Sequence, residues 1–260
     1  MKSELNGQVA LVTGSARGIG LAIADRLADN GATVVYSDVD EQELEMVLSQ
    51  RSQAAGWSLD VTNRSQICAV VDQVVDRYQR LDILVNNAGV NTMQHRVPID
   101  EFPADEWDRI VAVDLDGVYN MSHKAAQVMR VQGAGRIINV ASIAGLVPLR
   151  LQCAFAAAKA GVVNLTRAMA IELGQCGILV NGIAPGSTLT AATRQLFYSD
   201  DGSFSDRVSQ MLAHVPLARP ARTEEIAVAA LFLADPENSY MNGHMLVVDG
   251  GWTAGFTREF

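Results

Sequence analysis

Short apolar runs alternate along this chain with longer stretches in which apolar residues recur at helical spacing. QVALVTG (8–14) has the length of a strand and runs into a glycine turn. IGLAIADRLADNGA (19–32) then repeats its apolar positions every three or four residues and closes at Gly31, as a helix does. TVVYSDV (33–39) predicts the second strand, and EQELEMVLSQR (41–51) a helix that is acidic at its start, as the helix dipole favours. GWSLDV (56–61) predicts a short third strand, followed by a helix capped by Thr62 or Asn63. LDILVNNAG, GRIINVAS, GILVNGIAPG and HMLVVDGG predict four further strands. Long helices are predicted over roughly 104–131 and 152–174.

Seven runs apolar enough to be buried on both faces, separated by helices, call for a parallel sheet covered on each side. No linker or composition break divides residues 1–260, so the prediction is an α/β fold, one doubly wound (Rossmann) domain with a seven-stranded parallel sheet. The polar stretch 188–222 breaks the rhythm just beyond a strand end, where such sheets bind ligands, and is a candidate substrate lid.

Composition narrows the picture. With 49% hydrophobic residues, 21 glycines and 7 prolines the chain is globular in type. A formal charge of -9 argues against a nucleic-acid partner. The absence of a signal-peptide layout and of a long apolar run leads to the expectation of a cytoplasmic protein with no membrane span. Cys68, Cys153 and Cys176 lack a CxxC pattern and read as reduced packing residues, and no metal-ligand cluster is evident.

The candidate chemistry starts at TGSARGIG (13–20). Gly14, Gly18 and Gly20 sit in the first strand-to-helix turn, where glycines let backbone approach a pyrophosphate and the helix N-terminus offers amide donors. Ser15, Arg17 and Ile19 lie in the same loop. Asp38, 18 residues past Gly20, ends the second strand; a carboxylate there suits the ribose hydroxyls of NAD and repels the 2′-phosphate of NADP. Arg17 is the counter-argument, since it could meet that phosphate. Asp60 and Val61 end the third strand and could flank an adenine.

TGSARGIG, DV (60–61), NNAG (86–89), VASIAG (140–145), FAAAKAG (155–161), NGIAPG (181–186) and VDGG (248–251) occur together and in order. In this the chain resembles the short-chain dehydrogenase/reductase family over essentially its whole length. The resemblance implies that Asn87, Ala88 and Gly89 line the adenosine ribose, that Ser142 bonds the substrate oxygen, and that Lys159 holds the nicotinamide ribose and lowers the pKa of a neighbouring acid/base. It implies that Pro185, Gly186, Thr188 and Thr190 border the nicotinamide. It also places the family's catalytic tyrosine thirteen residues after Ser142, where this chain has Phe155. Asp114 stands where the family usually has an asparagine, a residue linked there to a backbone distortion and a water joining the lysine to solvent.

A phenyl ring keeps the packing of tyrosine and loses its proton. Three readings stay open: a dehydrogenase whose tyrosine has been replaced, an NAD-binding protein acting as sensor or oligomerisation partner, and an enzyme reducing an activated C=C bond with another proton donor. The retained Ser142, Lys159 and glycine loop favour the first. Of the histidines, His95 and His214 could visit the site, as could Tyr198 in the lid. Asn91, His95, Arg96, Ala144, Arg150 and Gln152 are candidate substrate contacts; Arg150 and Gln152 suit a polyol, sugar or hydroxy acid. The tail rings Trp252, Phe256 and Phe260 predict a buried interface, and the resemblance implies a homotetramer acting on a small-molecule substrate.

Overall fold

The computed structural model describes residues 1–51, 54–92, 95–190, 204 and 206–255. β1 (Val9–Thr13), β2 (Thr33–Asp38), β3 (Ala55–Ser58), β4 (Ile83–Asn86), β5 (Gly135–Val140), β6 (Ile178–Pro185) and β9 (Met245–Val248) form one parallel sheet in the order β3-β2-β1-β4-β5-β6-β9. This is the predicted doubly wound arrangement. The order reverses between β1 and β4, which opens a crevice at their carboxyl ends.

Alternation along each strand builds two cores. In β1, Ala10 and Val12 face one side, with Ile23 and Leu27 of α1 (Gly18–Ala28), Leu44 of α2 (Glu41–Ser49) and Ile226, Ala230 and Leu231 of a later helix, Thr223–Ala234. Val9 and Leu11 face the other side, with Ile67 and Val70 of α3 (Arg64–Tyr78), Met121 and Met129 of α5 (Gly117–Gln132), and Leu173 of α6 (Cys153–Leu173). Every β1 residue is buried, which explains why its sequence shows no polar alternation. The cap of α3 is Asn63, whose side chain accepts from the Ser65 and Gln66 N–H groups.

The predicted helix over 104–131 is two helices. α4 (Ala104–Val111) and α5 are joined by a π-helical turn at Ala112–Asp116. The segment 188–222 begins and ends in a small parallel ladder, β7 (Thr188–Leu189) with β8 (Ala221–Arg222). It also contains α7 (Asp206–Leu212); 191–203 and 205, with Tyr198, lie outside the described residues. Helix α8 (Thr223–Ala234), absent from the sequence-based reading, packs along α1.

One expectation needs correction: Cys68 is exposed rather than packed. Trp252 is half-buried against the cluster of Val208, Leu212 and Val215, while Phe256 and Phe260 lie outside the described residues. Among the described residues no helix is long and apolar enough to cross a membrane, and no group of three acidic, histidine or cysteine side chains could hold a metal.

Candidate active site

The glycine loop is built for close approach. Gly14 and Gly18 have φ of +63° and +62°, a region that favours glycine. A Cβ on Gly14 would stand 2.8 Å from Ala88 Cα, and one on Gly20 would collide with Gly14 O and Asn87 Nδ2. Arg17 caps α1 without a side-chain hydrogen bond, so the amides of the first helical turn remain available to an anion. Ser15 is turned away from the groove, its Oγ exchanging hydrogen bonds with the Ser37 backbone.

Thr13, which the motif reading passed over, ties β1 to β4. Its Oγ1 donates to Val85 O and accepts from the Asn87 and Ala88 N–H groups, each at 3.0 Å. Asn87 in turn donates from Nδ2 to Thr13 O and Gly14 O, so it braces the loop. Only the position of Thr13 before the loop could have signalled this.

A groove of about 740 Å³ runs from Asp38 past Asp60, Val61, Asn87, Ala88 and Gly89 to Thr190. Asp38 is buried and fixed by backbone donors, while Arg17 reaches Asp40 instead, at 3.4 Å with both side chains well exposed. Asp60 closes the turn into α3 by accepting from the Thr62 N–H and hydroxyl. Thr190 stands over the loop, its methyl 3.5 Å from where a Gly18 Cβ would be. The residues present fit a dinucleotide: a Cβ-free cradle, open helix amides and an anchored carboxylate at the far end.

The groove continues into a second cleft of about 860 Å³ through the shared residues Arg17, Ile19, Asn87, Gly89, Val90 and Arg109. Phe155, Lys159, Asp114, His95 and Glu106 line this part. Lys159 is 4% exposed, donates to Val140 O at 3.2 Å and lies 5.6 Å from the Phe155 ring centroid. Asp114, in the π turn, is fully buried; its Oδ1 accepts from the Val90 N–H at 2.7 Å and its Oδ2 is 3.1 Å from Lys159 Nζ. Burial pushes the Asp114 carboxyl well above the usual carboxylate range, against the opposing pull of Lys159 and the Val90 amide.

Ser142, two residues past β5, caps the short Ile143–Gly145 turn by accepting from the Ala144 N–H at 3.1 Å. Gly145, just beyond, is forced by the α6 backbone, since a Cβ there would lie 2.6 Å from Lys159 C and O. A buried chain holds α6 to the sheet: Asn86 donates to Ser122 and Asn139, and Asn139 donates to Thr166 at 2.9 Å.

The predicted substrate contacts separate. His95 lines the cleft, with Nδ1 4.0 Å from Glu106 Oε1. Glu106 is gripped by Arg109 through two hydrogen bonds, which with nearby groups hold its carboxyl below the usual range. These two residues were missed, though their spacing of three on α4 places them on one helix face. Gln152 is buried and accepts from Asn91 Nδ2 at 2.8 Å. Arg150 is exposed outside the cleft lining, beside Leu151 in a left-handed conformation (φ +62°). His214 is exposed and also outside it. At the end of β6, Pro185 is buried, Gly186 donates to Val248 O, and Thr188 donates to Gly186 O.

A family model described as enoyl-(acyl carrier protein) reductase matches residues 14–253. The chain belongs to the short-chain dehydrogenase/reductase family. Within that family it is 37% identical to a 3-oxoacyl-(acyl-carrier-protein) reductase of Thermotoga maritima, over 95% of this chain and 98% of the relative. It is 39% identical to a cis-4-hydroxycyclohexanecarboxylate dehydrogenase of Sinomonas cyclohexanicum, over 95% and 97%. Among solved structures it matches a gluconate 5-dehydrogenase from Burkholderia cenocepacia in complex with NADP and tartrate, with a TM-score of 0.88, 36% identity and coverage of 97% of each chain. Short-chain dehydrogenase/reductases use a nicotinamide cofactor.

Proposed function

We propose that the protein interconverts a hydroxyl-rich or carboxylate-bearing secondary alcohol, such as a polyol, sugar or hydroxy acid, and its ketone, with NAD as hydride carrier. The observation that carries this reading is the continuity of the nucleotide groove with the cleft holding Phe155 and Lys159. The bound nicotinamide supplies hydride transfer; the chain must bind, orient and manage one proton. Asp38, with no ion pair among the described residues, favours the ribose hydroxyls of NAD, and Arg17 in the glycine loop pairs with Asp40 instead. The relatives named for a hydroxycyclohexanecarboxylate and for gluconate support the substrate class. His95 and Arg109 at the cleft wall supply polar groups for such a substrate.

Phe155 removes the phenol, and a positioned acid/base is worth about 10²–10⁴ in rate. The chain as it stands therefore binds cofactor and turns over slowly. Phe155→Tyr should raise the oxidation rate by about that factor on a panel of polyols, sugar acids and cyclic hydroxy acids, with NAD affinity unchanged. No NAD-linked oxidation by the tyrosine variant on any member of the panel would refute this reading. On the same reading the protein acts in the cytoplasm as a homotetramer, which light scattering would test.

The description of the matching family model favours a second reading, reduction of an activated C=C bond. Hydride delivery to a conjugated alkene has less need of a phenol at the carbonyl. Turnover of an enoyl thioester by the unaltered chain, together with inactivity on ketones, would select it. Tight NAD binding without turnover by either form would instead mark a sensor or assembly partner.

A further inference from the structure

Lys159 Nζ carries three N–H bonds. One points to Val140 O at 3.2 Å; Nζ also lies 3.1 Å from Asp114 Oδ2 without an aligned hydrogen bond, which leaves N–H capacity for the cleft that Lys159 lines. Asp114 has one oxygen committed to the Val90 N–H, while Oδ2 is shielded from solvent and has no aligned hydrogen-bond donor. The 3.1 Å separation is thus a close approach without an aligned hydrogen bond, and Oδ2 keeps a lone pair on which a proton can sit. Gly89 keeps the pair in contact with the cleft: a Cβ there would come within 3.2 Å of Asp114 Oδ2 and 3.3 Å of Lys159 Nζ. An amide at position 114 could brace the lysine but could not store a proton. A carboxyl can do both.

We propose that Lys159 and Asp114 form the proton-transfer unit of this chain in place of the absent phenol, with Lys159 as the catalytic group and Asp114 as the positioning residue that resupplies it. This rests on the carbonyl–alcohol reading above. In the reducing direction the carbonyl carbon receives hydride from the dihydronicotinamide, and its oxygen takes a proton as a Lys159 N–H bond breaks and the O–H bond forms. The neutral amine then takes the proton of the Asp114 carboxyl, which is left as a carboxylate and refilled from solvent. Oxidation runs the same transfers backwards. Burial raises the Asp114 proton affinity in support of this role. The charged groups around the pair are Arg109 and Glu106 from α4, His95 from the loop after β4, and Arg17 from the glycine loop.

The test measures the unaltered chain with the substrate that the Phe155→Tyr variant turns over. Asp114→Asn should lower the residual rate at least tenfold while changing NAD affinity less than twofold, and Asp114→Glu should recover part of the loss. Isotope-edited infrared spectroscopy of the unaltered chain, without substrate, should show a buried protonated carboxyl that is missing in Asp114→Asn. Its presence keeps the inference testable should Asp114→Asn fold poorly. No such carboxyl, no residual turnover, or a residual rate that survives Asp114→Asn but is lost in His95→Gln would overturn the proposal. Failure of Phe155→Tyr to oxidise any substrate strikes the functional reading instead.

Discussion

The Asp38 carboxylate accepts from the Ala16 N–H at 3.0 Å through one oxygen and from the Asp40 N–H at 3.1 Å through the other. Two backbone amides therefore aim it from β2 across the glycine loop. On the NAD reading proposed above, this anchoring holds the negative charge in place against a 2′-phosphate. Asp38→Ser should weaken NAD binding and strengthen NADP binding, each by about tenfold, or roughly 1.4 kcal/mol. Titration calorimetry with both cofactors checks it, and an unchanged preference would remove Asp38 as the selector.

Gly20 faces Gly14 O and Asn87 Nδ2 so closely that no side chain fits. Gly20→Ala must push the loop off β4. The expected cost is about 1–3 kcal/mol, with loss of the thermal shift that the NAD reading expects of the parent chain. Melting curves with and without NAD would show both effects.

Thr166 accepts from Asn139 and donates to Val162 O, wholly within the core. Thr166→Val keeps the shape and strands the Asn139 amide, for a cost of about 1–3 kcal/mol. Because this chain anchors α6, the helix carrying Phe155 and Lys159, turnover of the Phe155→Tyr form should fall as well. Denaturant unfolding and steady-state rates read the two effects separately.

Glu225 accepts from the Arg219 guanidinium at 2.8 and 2.7 Å and from the Arg222 N–H at 2.8 Å. These bonds, the Arg219 pair first, pull its carboxyl down to about 2. A carboxyl lowered in the folded state stabilises it above the ordinary carboxylate range, and that stabilisation is lost as pH falls towards 2. Exposure to solvent keeps the contribution of this pair small at neutral pH. Glu225→Gln should therefore lower stability near pH 7, and the gap from the parent should close as pH falls through 4 towards 2. Denaturation across that range checks the sign.

The sheet was legible because β1, β2, β4 and β5 are buried on both faces and so carry nearly unbroken apolar runs. The glycine loop was legible because Gly14 and Gly20 abut backbone that a Cβ would meet, and Gly14 and Gly18 have positive φ. Helix α8 escaped because its run EIAVAALFLA is apolar around most of its circumference, so no polar stripe marked its period. Roles carried by tertiary contacts were the hardest to see. Arg150 looked like a substrate reader from its neighbours in sequence, yet the left-handed Leu151 accompanies a turn after which Gln152 is buried and Arg150 exposed. Glu106 and Arg109 went unnoticed, because only the packing of α4 over the cleft gives them a part in it.

The π turn at Ala112–Asp116 has a consequence for how α4 and α5 divide their work. Its hydrogen bonds span one residue more than those of an α-helix, so it offsets the two flanking helices by about 100° of rotation. Ile110 thereby packs against Ala154 and Ala158 beneath the cleft, while Met121, Ala125 and Met129 pack against the sheet. Removing any one residue from the turn would leave a longer, straighter rod of nearly the same composition, with Asp114 swung off Lys159. In this stretch the count of residues, as much as their chemistry, aims the carboxylate.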